Sequence, residues 1–154
     1  MITNDNNDIL GKLSEIEGII EYKPVELSSG KISDYYVDIK RSYGEPRILH
    51  MYANYITSQL GFELQNTSCI IGSGYGGVPL ATTLFSRLGM WDIKLSMFRD
   101  NPKEHGRPSM FDGYPLEKLS RRKKVVIVDD VLTTGRSIRK ILEALPEDLM
   151  VGRI

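Results

Sequence analysis

At 154 residues the chain is long enough for one domain whose core needs no disulfide or metal staple. Its 20 Lys and Arg residues balance 20 Asp and Glu, which excludes a field of one sign that would draw the whole chain onto nucleic acid or an anionic membrane. The lone cysteine, Cys69, has no partner for an internal disulfide, and the opening MITNDNNDIL lacks the basic and apolar regions of a secretion signal, so a soluble cytoplasmic protein with Cys69 in its core is expected.

Taken in chain order, Asp5 or Asn7 caps a short first helix that runs to Ile16 and closes at Gly18. Residues 19–22 and 24–27 read as extended, and SSGK (28–31) as a turn. From Ser33 the stretch SDYYVDIK alternates like a strand as far as Lys40. Pro46 stands where a helix favours its first residue, and Ile48, Leu49, Tyr52, Tyr55, Ile56 and Leu60 recur at helical spacing as one buried face ending at Gly61. His50 on that helix reads as a surface residue.

A strand at 69–71, a glycine turn, a helix at 78–88 closed by Gly89 and a strand at 93–98 follow as a β-α-β unit. Residues 99–113, RDNPKEHGRPSMFDG, carry two prolines and two glycines without a period, the mark of a long functional loop. KVVIVD (124–129) suits a central parallel strand covered on both faces, with SRRKK as its charged entry. A helix at 137–145 and a strand-like LMVGRI end the chain, and strands alternating with helices imply a parallel α/β sheet.

Two segments carry chemistry. CIIGSGYGGVP contains a literal G-x-G-x-x-G (Gly72, Gly74, Gly77) with Asp92 about twenty residues on, the spacing of a dinucleotide fingerprint. That fingerprint sits on the first strand of its fold, whereas this one follows a helix and extended segments, so Asp92 reads as a solvated turn acid. The glycines at 72, 74, 76 and 77 would let main-chain N–H groups approach any anion closely. The second segment, VVIVDDVLTTGRS (125–137), ends a buried strand in Asp129 and Asp130. A Thr-Thr-Gly turn and a capping Ser137 then place backbone N–H groups, the hydroxyls of Thr133, Thr134 and Ser137, and a helix N-terminus around a phosphate-sized hollow. Carboxylates beside that hollow suit the vicinal hydroxyls of a sugar, and phosphate plus diol suggests a ribose 5-phosphate. The alternative for such a strand end is a pair of acids on Mg²⁺ in a nucleotidase or receiver-like domain, which the TTGRS continuation disfavours.

The segment 125–137 resembles the phosphoribosyl pyrophosphate (PRPP) motif of type I phosphoribosyltransferases. Two further stretches are similar to the orotate branch of that family: ELSSGKISDYYVDIK (26–40) to its N-terminal hood, and FRDNPKEHG (98–106) to its flexible loop of pattern R-K-x-x-K-x-H-G. The resemblance runs from about residue 19 to the end. It implies one α/β domain over 1–154 with a Rossmann-type core, a central parallel β-sheet flanked by helices. About 1–40 would form the N-terminal helix and hood, and about 41–154 the PRPP-binding core.

It further implies transfer of the phosphoribosyl group from PRPP to orotate, giving orotidine 5′-monophosphate. Arg99, Lys103, His105, Asp129 and Asp130 would be catalytic. PRPP would be held by these five together with Tyr75, Gly76, Gly77, Val131, Leu132, Thr133, Thr134, Gly135, Arg136 and Ser137, and orotate by Ser28, Lys31, Tyr35, Tyr36 and Thr133. Mg²⁺ would travel with the pyrophosphate, without a dedicated protein metal cage, and a homodimer would share its active sites between subunits. No nucleic-acid or membrane partner is implied.

Three positions depart from the family pattern. Asp100 replaces a loop Lys and so puts a negative charge near the pyrophosphate, Gly76 stands where some relatives carry Lys, and the chain stops at Ile154, ahead of the family's arginine for the orotate carboxylate, with Arg153 too early to serve. A transferase for another base, or a non-catalytic PRPP-sensing regulator, is the alternative.

Overall fold

The computed structural model describes residues 9–27, 30–89, 92–101, 109–120 and 122–154. A five-stranded sheet forms the centre, built from β5 (Thr67–Ser73), β6 (Lys94–Phe98), β7 (Phe111–Gly113), β8 (Lys124–Val128) and β9 (Val151–Arg153), in the order β7-β6-β5-β8-β9. β6, β5, β8 and β9 run parallel, and β7 pairs antiparallel with β6. Every residue of β5 is buried, as a strand covered on both faces must be.

The period of two sorts the side chains between two cores. Ile70, Val126 and Val128 face α2 (Pro46–Leu60) and α3 (Gly74–Leu88), packing with Tyr52, Ala53, Leu80 and Leu84. Cys69, Ile71, Val125 and Ile127 face α4 (Arg136–Ala144), packing with Ile138, Ile141 and Leu149. Each fully buried aliphatic side chain contributes roughly 1.5–3 kcal/mol, so these two layers hold the sheet in place. Burial pushes the Cys69 thiol up to about 12, which keeps it protonated and fits the core role expected of it.

Ahead of the sheet, α1 (Ile9–Ser14) and two small antiparallel pairs form a cover. β1 (Ile20–Glu21) pairs with β4 (Tyr36–Val37), and β2 (Val25–Glu26) with β3 (Ile32–Ser33). Buried Leu13 and Ile19 anchor it on the α2/α3 core. Gly30, at φ +78, closes the β2–β3 turn with its N–H on the Leu27 carbonyl.

Several boundaries differ from the sequence expectation, each for a local reason. α1 ends at Ser14 rather than Ile16, its last turn closed by the Ser14 hydroxyl on the Gly11 carbonyl. The 33–40 stretch is not one strand. Ser33 Oγ donates to the Tyr35 carbonyl and accepts from the Tyr35 N–H, which breaks the chain between β3 and β4, and residues Ile39–Gly44 then turn as a 3-10 helix. On α2, Tyr55 is 40% exposed rather than part of the buried face. α3 starts at Gly74, so the glycine turn is its first turn, and packing overrides the low helix propensity of glycine. The 99–113 loop is not wholly irregular, because its end is β7 on the edge of the sheet. Among the described residues no helix is long and apolar enough to cross a membrane.

Candidate active site

β5 passes into α3 on one face of the sheet, and its neighbour β8 passes into α4 on the other. Two adjacent parallel strands whose chains leave to opposite faces open a crevice at their C-terminal ends. There the glycine turn and residues 129–137 come together.

Asp129, Val131, Leu132, Thr133, Thr134, Gly135, Arg136 and Ser137 line one hollow of about 320 Å³, along with Asp100, Ile138 and Lys140. Gly135 adopts φ +69, which suits glycine, and stands as the N-cap of α4 without any side-chain cap. Ser137 is therefore an exposed residue of the first turn and not the cap expected of it. The uncapped first-turn N–H groups and the positive end of the helix dipole are left to meet an anion. Arg139 donates to the Thr134 carbonyl at 3.1 Å and so pins the threonine turn to α4.

The two carboxylates face different ways. Asp129 stays in the hollow, accepting the Asp130 N–H at 3.0 Å and the Ser73 hydroxyl. Burial, with the Asp130 charge adding to it, pushes Asp129 up to about 6 against the pull of those two donors. Asp130 instead turns toward the glycine turn, where an ideal Cβ on Gly76 would overlap its carboxyl. The space beside Gly77 is likewise filled, by the Val128 carbonyl. Gly76 and Gly77 are thus positions of close packing, and a side chain at 76 would require the Asp130 carboxyl to move. Tyr43 donates its hydroxyl to the Gly76 carbonyl at 2.9 Å, and burial beside Asp130 raises its pKa, so it stays a donor.

Asp129 gives a signed pH dependence. Its folded pKa of about 6 lies above the unfolded carboxylate value, so the folded state binds more protons between about pH 4 and 6, and this group's contribution to stability falls as pH rises through that window. Asp129→Asn should remove that trend, a difference on the order of 1–2 kcal/mol between pH 4.5 and 7 in denaturant unfolding. Parallel curves for the two proteins would contradict the assignment.

The other expected residues are placed less uniformly. Tyr75 is 95% exposed on a second hollow, of about 550 Å³, that it shares with Gly74, Arg99 and Asp100. Arg99 borders that hollow, but its guanidinium pairs with Asp112 of β7. Asp100 is held by Lys140 at 2.7 Å, so its charge is not left uncompensated. Lys31, Tyr35 and Tyr36 are exposed on the N-terminal cover, and no hydrogen bond or ion pair among the described residues ties them to the hollow with Thr133. Ser28, Lys103 and His105 lie outside the described residues. His50 is exposed against Arg87, and Asp92 is an exposed turn residue, as expected.

Sequence reading missed Lys40, whose ammonium lies 3.5 Å from Asp130 and 3.3 Å from Asp38, although it closes the quoted segment 26–40. It also missed Tyr43 and Ser73, which reach the site only through tertiary packing. Among the described residues there is no group of three or more His, Cys, Asp or Glu that could hold a metal ion.

A carboxylate-ended strand with a Thr-Thr-Gly turn, set beside a glycine turn at such a crevice, defines a phosphoribosyltransferase. The profile of the phosphoribosyl transferase domain matches residues 49–148. Over 149 residues the chain is 36% identical to an orotate phosphoribosyltransferase of Methanosphaera stadtmanae, covering 96% of this chain and 77% of the relative. The crystal structure of orotate phosphoribosyltransferase from Aeropyrum pernix has a TM-score of 0.68 at 27% identity, covering 93% of this chain and 77% of that one. The fold is also that of the Mycobacterium tuberculosis orotate phosphoribosyltransferase solved in complex with PRPP, with a TM-score of 0.65 at 20% identity over 97% of this chain and 80% of that one. The chain belongs to the orotate phosphoribosyltransferase family.

Proposed function

We propose that the chain transfers the 5-phosphoribosyl group of PRPP to orotate, releasing pyrophosphate, and that the hollow at 129–137 receives the ribose 5-phosphate. The observation carrying this reading is the union, in one hollow, of an uncapped helix N-terminus, threonine hydroxyls and the Asp129 carboxylate. The first two bind the phosphate, and the carboxylate accepts from the ribose hydroxyls. In the reaction the orotate ring nitrogen forms the new bond to ribose C1, the C1–oxygen bond breaks with its electron pair leaving on pyrophosphate, and the nitrogen gives up its proton to water. Orotate is already anionic, so the work left to the protein is positioning and stabilisation of charge on the leaving group.

Arg99, with Lys103 and His105, is assigned to that charge, and Ser28, Lys31, Tyr35, Tyr36 and Thr133 to the base. Mg²⁺ would enter with the pyrophosphate and, when bound, would neutralise part of its charge. Asp129 and Asp130 face different ways, and no group of three or more His, Cys, Asp or Glu among the described residues could hold a metal ion, so the chain offers no cage of its own. The ligand's own oxygens and water would supply the coordination. The loop from Arg99 is assigned to the active site of a second copy in a two-fold dimer, with exposed Tyr75 beside it as apolar surface for that interface to cover.

The test is pyrophosphate release with PRPP, Mg²⁺ and a panel of bases, together with calorimetry of PRPP binding. Orotate should be the productive base. Asp129→Asn and Asp130→Asn should each weaken PRPP by about tenfold or more, since a charged acceptor is lost, while the fold stays intact. Unchanged affinity in both variants would remove the reading, and PRPP binding without turnover on any base would point to a regulator.

A further inference from the structure

The acid that closes the glycine turn raises an electrostatic question. Pyrophosphate docked there would meet the Asp130 carboxylate over Gly76 and Asp129 behind it, and like charges at such range cost several kcal/mol unless a cation intervenes. Beside the Mg²⁺ that would come with the ligand, Arg99 and Lys140 are the described cations on the loop side, and in this structure they pair with Asp112 and Asp100. Arg41 is taken by Glu21, with Asp38 at 3.7 Å.

Lys40 is placed differently. Its backbone belongs to the 3-10 helix after β4, and its ammonium bridges Asp38 at 3.3 Å and Asp130 at 3.5 Å, both loose contacts. With 43% of the side chain exposed, N–H donors remain for a ligand. Burial pulls its pKa down, but the Asp130 and Asp38 carboxylates outweigh that and hold it above the ordinary lysine value. The other groups facing it are the Tyr36 phenol, and Tyr43 beside Asp130, which stays neutral. A fixed positive charge therefore stands on the carboxylate that borders the glycine turn.

We propose that Lys40 binds the pyrophosphate of PRPP, with Asp38 and Asp130 positioning its ammonium. The inference rests on the PRPP reading above and adds a contact from the N-terminal cover to the leaving group. As pyrophosphate arrives the ammonium exchanges water for phosphate oxygens, and as the C1–oxygen bond breaks the same charge faces the growing negative charge.

The test uses two ligands that share ribose 5-phosphate. PRPP carries pyrophosphate, whereas orotidine 5′-monophosphate carries the base in its place. In calorimetry on the full chain, Lys40→Gln should weaken PRPP by about tenfold or more, the loss expected for one charged hydrogen bond, and orotidine 5′-monophosphate by less than about threefold. Lys40→Arg, which keeps the charge, should recover most of the PRPP affinity. If Lys40→Gln weakens the nucleotide more than PRPP, Lys40 faces the base and the proposal fails. An equal loss for both ligands would mean that Lys40 merely positions Asp130, and an unchanged PRPP affinity would mean that it is a solvated surface lysine; either result overturns the assignment. A wild-type protein that binds neither ligand would instead defeat the PRPP reading itself.

Discussion

Gly77→Ala should lower the melting temperature by about 10 °C or leave no folded protein, because the added methyl would overlap the Val128 carbonyl and sit 3.0 Å from the Val128 carbonyl carbon and 3.1 Å from Asp129 Cα. These are backbone atoms of a buried strand end, so no side chain can swing aside. Relief requires α3 to move off β8, opening the core that Leu80, Leu84 and Val128 share. Overpacking of this kind costs about 3 kcal/mol or more, a large part of the 5–15 kcal/mol typical of a domain. Gly44→Ala is the control. Gly44 has no positive φ and no atom within 4 Å of an ideal Cβ, so its melting temperature should stay within about 2 °C of wild type. Equal melting temperatures for the two variants would show that α3 does not approach β8 as closely as described. Even a folded Gly77→Ala should lose PRPP affinity, since Asp129 follows directly on the strand end that must shift.

The same glycines show what a sequence can and cannot carry. Their spacing made a turn between strand and helix legible, because few other residues allow it. Which partner fills the space beside Gly76 and Gly77 depends on the end of β8 and the acids after it, more than 40 residues away. The hollow at 129–137 was legible almost residue by residue, since strand, turn and helix N-terminus are contiguous and local chemistry dictates their arrangement. Asp130 was not: its direction is set by the packing of Gly76 and by Lys40 from a distant segment. The strand expected at 33–40 failed because alternation registers side-chain character but not the Ser33 hydroxyl turn that interrupts the pairing. Spacing alone puts Tyr55 on the core face, yet it borders an open hollow with Val126, Arg153 and Ile154, which leaves the residue 40% exposed.

Mixing Lys103→Ala protein with Asp129→Asn protein should restore activity that neither has alone. The hollow that holds Asp129 lies on β8 and α4, and the loop from Arg99 leaves β6 at the same C-terminal edge of the parallel sheet, with Asp100 at its start lining that hollow in its own chain. On the proposed dimer the loop serves the partner's hollow, and a two-fold interface makes both sites equivalent. Each parent dimer then has a defect in both of its sites. A hybrid has one site with both defects and one with none, the intact loop of the Asp129→Asn subunit reaching the intact hollow of the Lys103→Ala subunit. Random reassociation makes about half of the dimers hybrids, each with one working site in two, so activity should reach about a quarter of the wild-type value. Dissociation in mild denaturant, mixing, and pyrophosphate release after dilution measure it, with tagged subunits to prove that hybrids form. If hybrids form and the mixture stays as inactive as its parents, Lys103 acts on its own chain's hollow and the shared site is wrong, while a Lys103→Ala parent that keeps full activity removes the loop from catalysis.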